Sequence, residues 1–189
     1  MMEDLLVPRQ TMVRSSISQD KQDKHWNRSN STNIEISSCT TLGYMFPQRV
    51  FLTVGTGEAV NEVPSGNNWP SNLERFEMLK EAITLIKKLW TEEWVDFTGK
   101  YYWVKDSNLY TKPKNPIPLF IAAMKPQAAR LAGEEGDGLV TNELNLENLK
   151  NKVLPAFRKG VEKSGRDYNS LTKAVFMPAS YDQDKEKAK

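Results

Sequence analysis

The chain has 189 residues, enough for one domain with a real core, and its 26 Lys plus Arg nearly balance 24 Asp plus Glu. With no basic block interleaved with aromatics, nucleic acid is excluded as a main partner. The longest apolar run, Ile117 to Met124, is far too short to span a bilayer, and no segment near Met1 has the pattern of a signal peptide. A single cysteine, Cys39, rules out an internal disulfide framework and suits a reducing compartment, so a cytoplasmic location is expected.

Residues 1–40 read unlike the rest. Serines crowd between Ser15 and Ser38 among charges and amides, and neither helical nor strand periodicity persists. Such a stretch buries too little apolar surface to offset its ordering entropy, so disorder is expected there. His25, the only histidine, is expected to be solvated, and Cys39 to be an inert thiol. No metal site is assigned.

From 41 to 189 the text is regular and reads as one domain. Val50–Val54 is a buried strand. Gly55-Thr56-Gly57 follows, then Glu58 and Asn61. The glycines let the backbone turn sharply and approach a ligand. They do not make a Rossmann fingerprint, because its third glycine is missing. Ser71 and Glu74 form a capping box for a long helix, with Leu73, Phe76, Leu79, Ile83, Ile86 and Trp90 on one face. Val95–Phe97 and Tyr101–Val104 suggest a hairpin around Thr98-Gly99. Its aromatics, with Trp94, are expected to pack an excursion onto the outside of the domain.

Leu119–Ala123 reads as a second strand, followed by a short helix from Pro126 that ends near Gly133. Leu139–Thr141 is a third strand. Leu146, Leu149, Val153 and Phe157 mark a helix kinked at Pro155, and Lys173–Met177 is a last strand. Buried strands alternating with helices imply an α/β fold with a parallel sheet. Periodicity alone leaves open a doubly wound sheet or a piece of a (β/α)8 barrel.

The string Arg49 to Glu62, with its Gly-Thr-Gly-Glu-Ala-x-Asn-Glu core, resembles luciferase-like, coenzyme F420-dependent oxidoreductases, in particular the F420-dependent glucose-6-phosphate dehydrogenase group. Trp69-Pro70, Glu74-Arg75-Phe76, Phe97-x-Gly99-x-Tyr101-Tyr102, Ile121-Ala122-Ala123, Gly136-Asp137-Gly138 and Leu154-Pro155-Ala156 extend the likeness from about Thr40 to Tyr181. The resemblance implies a partial luciferase-like TIM barrel of about four parallel strands, covering the family's central units. It also implies hydride transfer between an alcohol-type carbon and F420, with an FMN-dependent monooxygenase as the alternative. A truncated barrel would be poorly catalytic alone. The expected partners are a small-molecule substrate and either a second copy of the chain or a complementing barrel half, unless the chain is a non-catalytic remnant.

In the family the glutamate of this string protonates the deazaflavin, a role carried over to Glu58; the plain alternative is a solvated loop carboxylate. Such an acid needs its pKa raised by a partly apolar cleft. Asn61 is either a turn residue or a group facing the cofactor, and Gly55, Thr56 and Gly57 line the same turn. Ala122 and Ala123 are either small core residues or room for the cofactor's phosphate arm. Lys125 adds charge beside that arm, in a Met124-Lys125-Pro126 sequence where the family has small residues. Asn145 stands where the family has a lysine. The family's early-strand Asp-His pair and Trp have no counterpart here.

Overall fold

The computed structural model describes residues 11–14, 27–64, 69–178, 180, 181 and 183, with the backbone alone for 11–14, 27–35, 61 and 62. In chain order these form β1 (Thr11–Arg14), α1 (Asn27–Met45), β2 (Val50–Val54), α2 (Ala59–Glu62), α3 (Asn72–Thr91), β3 (Val95–Thr98) and β4 (Trp103–Ser107). Then come β5 (Leu119–Ala122), α4 (Pro126–Glu135), β6 (Gly138–Thr141), α5 (Leu146–Asn148), a π-helical turn (Leu149–Val153), α6 (Leu154–Lys163) and β7 (Thr172–Val175).

The main sheet has five strands in the order β1-β2-β5-β6-β7, every neighbouring pair parallel. This is the expected β/α alternation with one more strand than expected, because β1 comes from the polar amino-terminal segment. β3 and β4 form a separate antiparallel hairpin with a register shift between Val95 and Phe97.

Side chains alternate across each strand, and the two faces differ. Val50, Leu52, Val54, Leu119, Ile121 and Leu139 join the core beneath the helices, with Leu79, Ile83 and Ile86 of α3, Ala132 of α4 and Phe157 of α6. Each such Leu, Ile or Phe contributes roughly 1.5–3 kcal/mol by leaving water. Phe51, Thr53, Phe120 and Val140 alternate onto the other face, where the rings of Phe51 and Phe120 lie 4.8 Å apart. A closed barrel turns this face inward.

Ser71 caps α3 as expected, its hydroxyl accepting the Glu74 N–H at 3.2 Å. Leu73 does not join the buried face; it is exposed, and Met78, Ala82, Leu85 and Leu89 are buried instead. The contact stripe therefore starts a full turn later and is broader.

Three further expectations are corrected. The boundary at 40/41 falls inside α1, where Ile36 and Cys39 are buried in the core and the Thr40 hydroxyl donates to the Ile36 carbonyl at 3.0 Å. That one-sided burial is too sparse to register as periodicity. Most of residues 1–26, with His25, lies outside the described residues. Second, α4 does not stop at Gly133 but runs to Glu135. A Cβ on Gly133 would lie 2.2 Å from the Phe157 carbonyl oxygen, and one on Gly160 would lie 2.1 Å from that of Arg130. Both glycines thus allow α4 and α6 to touch backbone to backbone. Third, Leu146 and the end of the Lys173–Met177 run are exposed, β7 stopping at Val175.

Where a kink at Pro155 was expected, a π turn, Leu149–Val153, runs directly into α6, whose first turn holds Pro155. Proline lacks an N–H and its ring clashes with the carbonyl four residues back, so the preceding turn widens. Beyond α6, Arg166 reaches back to the end of α4, donating to the Gly136 carbonyl at 2.7 Å and to that of Gly133 at 2.5 Å.

Candidate active site at the carboxyl ends of the strands

In a parallel α/β sheet the polar groups that act on ligands gather at the carboxyl ends of the strands. Here the sequence candidates converge at the ends of β2 and β5. The register pairs Val54 with Ile121, so Gly55 and Ala122 stand level on the strand ends. A Cβ on Gly55 would lie 3.1 Å from that of Ala122. These two positions thus present a ledge of backbone and one methyl group.

Gly57 has φ 76°, a conformation that side chains resist, and it swings the chain off the strand. Thr56 is half-buried on this turn. Glu58 follows in extended conformation, φ −133° and ψ 127°, and its half-buried side chain opens α2. Asn61 lies in α2 on the next turn, while its side chain and that of Glu62 lie outside the described residues.

The structure separates the two alanines. Ala122 is half-buried beside Gly55, but Ala123 is buried on the helix side with Leu119 and Ile121, and its N–H donates to the Val140 carbonyl at 2.8 Å. Lys125 is exposed at the start of α4 and makes no side-chain capping bond. Met124 beside it is exposed as well.

One carboxylate was missed by the sequence reading. Glu143, just beyond β6, accepts the Asn145 N–H at 2.9 Å and a bond from the Asn148 side-chain amide, while its own N–H donates to the Thr141 hydroxyl at 3.1 Å. The Asn145 N–H bond, then the Asn148 amide, hold its carboxyl below the usual range. Glu143 is therefore an ionised acceptor and not a proton donor at neutral pH. Asn145 itself caps α5, accepting the Asn148 N–H at 3.0 Å. The Asn-x-x-Asn spacing was the available signal.

A cavity of about 620 Å³ lies elsewhere, walled by Trp90, Lys112, Ile117, Asp137 and Arg166 near the amino ends of β5 and β6. It shares none of the candidate residues. Among the described residues no group of three or more His, Cys, Asp or Glu could hold a metal ion, and no helix is long and apolar enough to cross a membrane.

The model of a family described as luciferase-like monooxygenase matches residues 37–189. An F420-dependent glucose-6-phosphate dehydrogenase of Nakamurella multipartita is 46% identical over 149 residues, 78% of this chain and 44% of the relative. The enzyme of the same name from Segniliparus rotundus is 44% identical over 146 residues, 76% of this chain and 44% of its own. Among solved structures, an F420-dependent secondary alcohol dehydrogenase in complex with an F420-acetone adduct superposes with a TM-score of 0.81 at 34% identity. That match covers 93% of this chain and 51% of the other. The coenzyme F420-dependent tetrahydromethanopterin reductase of Methanopyrus kandleri, 19% identical with a TM-score of 0.69, shares the fold. The chain spans about half the length of the relatives it matches.

Proposed function

The chain belongs to the luciferase-like monooxygenase family, and from that premise we propose that it supplies the central β/α units of an F420-dependent oxidoreductase acting on an alcohol-type carbon. The observation that carries this reading is the ledge at the strand ends. Gly55 and Ala122 leave backbone nearly bare, and the Gly57 turn brings the half-buried Glu58 to its margin. A flat ring system fits such a surface, so the residues present suit a deazaflavin. The relatives and the superposed alcohol dehydrogenase, all F420-dependent by name, support the same cofactor.

Bound there, F420 would supply the ring carbon that exchanges hydride with the substrate. Glu58 holds the proton that balances the charge change and passes it from its carboxyl oxygen. Asn61, on the next turn, orients cofactor or substrate through its amide. Gly55, Thr56 and Gly57 shape the turn, and Ala122 leaves room beside it. Lys125, exposed where α4 begins, offers a positive charge to a phosphate near that helix end. Ala123, buried on the helix side, serves this arrangement through packing.

The described sheet ends at β1 and β7, so a closed barrel takes further strands beyond these edges, from elsewhere in the protein or from a complementing half. The test is titration of the purified chain with F420 and with FMN, followed by fluorescence. Saturable binding of F420 but not FMN is expected. A preference for FMN would favour a monooxygenase, and binding of neither would favour a non-catalytic remnant or a half that needs its partner.

A further inference from the structure

Among the described residues, aside from the aromatics, three polar side chains are buried: Thr40, Thr53 and Thr141. Thr40 donates to main-chain carbonyls at 3.0 and 2.9 Å, and Thr141 accepts the Glu143 N–H at 3.1 Å. Thr53 is the exception. It is 4% exposed, and its hydroxyl has no hydrogen-bond partner among the described residues. A valine would fill the same volume in a strand and leave nothing unpaired.

The position of Thr53 gives the orphaned hydroxyl its meaning. It is level with Phe120 of β5 and one residue below Val54, so strand alternation turns it to the same face as Gly55. Directly above it on these two strands stand only Gly55 and Ala122, which contribute no side chain and one methyl group. No larger side chain of β2 or β5 separates the hydroxyl from the ledge. Rotation about Cα–Cβ exchanges hydroxyl and methyl between staggered wells, so the oxygen can be presented upward. A hydroxyl both donates and accepts, and so suits either a ring carbonyl or a ring N–H.

We propose that Thr53 is a positioning residue whose hydroxyl, on the floor of the candidate cofactor site, hydrogen-bonds the polar edge of the bound heteroaromatic ring. The inference rests on the cofactor reading above. It explains why a buried strand position carries an unpaired polar group: the partner is the ligand. The free chain is then slightly less stable than it could be, and the bound form recovers the bond.

The test compares the 189-residue chain with Thr53→Val and Thr53→Ser, measuring F420 affinity by fluorescence titration and thermal unfolding without ligand. Thr53→Val is expected to unfold at the same or a higher temperature and to bind F420 roughly five- to tenfold more weakly. Thr53→Ser, which keeps the hydroxyl, is expected to stay within about twofold of the parent in affinity. The opposite signs matter, because general damage would lower stability and affinity together. Equal F420 affinity in Thr53→Val and the parent would overturn this inference alone, as would Thr53→Ser binding as weakly as Thr53→Val. A lower unfolding temperature for Thr53→Val would make the hydroxyl structural and also overturn it. Absence of F420 binding by the parent chain would overturn the cofactor reading, and this inference with it.

Discussion

The carboxylate of Glu81, on the middle of α3, accepts the backbone N–H of Tyr101 at 2.8 Å in the turn of the β3–β4 hairpin. The same side chain takes the N–H of Lys100 at 3.0 Å and that of Tyr102 at 2.7 Å. The Tyr101 hydroxyl and the Lys100 ammonium meet Glu77, one turn back, at 2.7 and 2.9 Å. A helix carboxylate thus stands in for the strand partner that the turn lacks. Removing it strands N–H donors, so Glu81→Ala should cost roughly 2 kcal/mol, read from urea unfolding. Glu81→Gln should recover part of that loss, since its amide oxygen can still accept. A loss below about 0.5 kcal/mol in Glu81→Ala would mean that water replaces the carboxylate.

The backbone contact between α4 and α6 leaves no room for a methyl group at either glycine. Gly133→Ala and Gly160→Ala should each destabilise the chain by about 3 kcal/mol or more, since the clash is with main-chain atoms that cannot rotate aside. Gly165→Ala is a control with open space around its Cβ but φ 69°, and it should cost only about 1 kcal/mol through backbone strain. Thermal unfolding of the three variants ranks them. Near-equal values would show that the helices slide apart at little cost.

Cys39 is buried on α1, and burial pushes its thiol from 9.0 up to about 11. The folded thiol holds its proton where the unfolded thiol has released it. The resulting stabilisation is complete below the unfolded value and is lost as pH rises from about 9 to about 11. Cys39→Ala should therefore flatten the alkaline limb of a stability–pH curve. A thiol reagent should modify the native chain slowly and the urea-unfolded chain quickly. Rapid native labelling would show that α1 opens away from the core.

Glu58 is best tested in a completed barrel, with the remaining units supplied in trans or by fusion to a relative. Glu58→Gln keeps shape and a hydrogen-bond donor but removes the exchangeable carboxyl proton. It should lower kcat by roughly 10²- to 10⁴-fold and leave F420 affinity within a few-fold. Asn61→Ala should weaken affinity as well as rate. An unchanged kcat in Glu58→Gln would reduce the carboxylate to a solvated loop residue.

Strands β2 and β5 and the α3 cap were legible in the sequence because each has a local signature: short, mostly apolar runs at Val50–Val54 and Leu119–Ala122, and Ser71 three residues before Glu74, whereas β1 lies in a polar stretch that carries none. Helix α1 was not, because serine, threonine and asparagine favour turns in isolation, and only sparse positions such as Ile36 and Cys39 anchor it. Gly133 misled for a related reason. Glycine marks a helix end and a close helix crossing alike, and only the facing Phe157 carbonyl distinguishes the two. At the candidate site, the Gly-x-Gly string pointed to Gly55 to Glu58, and strand alternation puts Ala122 and Ala123 on opposite faces, but the sequence could not show that Ala123 is the one turned to the core. Nor could it show that the buried Thr53 hydroxyl lacks a hydrogen-bond partner among the described residues.

Arg166 ties the end of α4 to the loop beyond α6 through the carbonyls of Gly133 and Gly136, and the Ser164 hydroxyl donates to the Gly133 carbonyl at 3.2 Å. With the helices already in backbone contact, neither can fray without releasing the other. Their interior amides should therefore exchange with deuterium as one block with a common opening free energy. The hairpin, fastened through Glu81, should instead exchange with α3. Cooperativity would then divide this chain along its side-chain fastenings and not along the order of its strands.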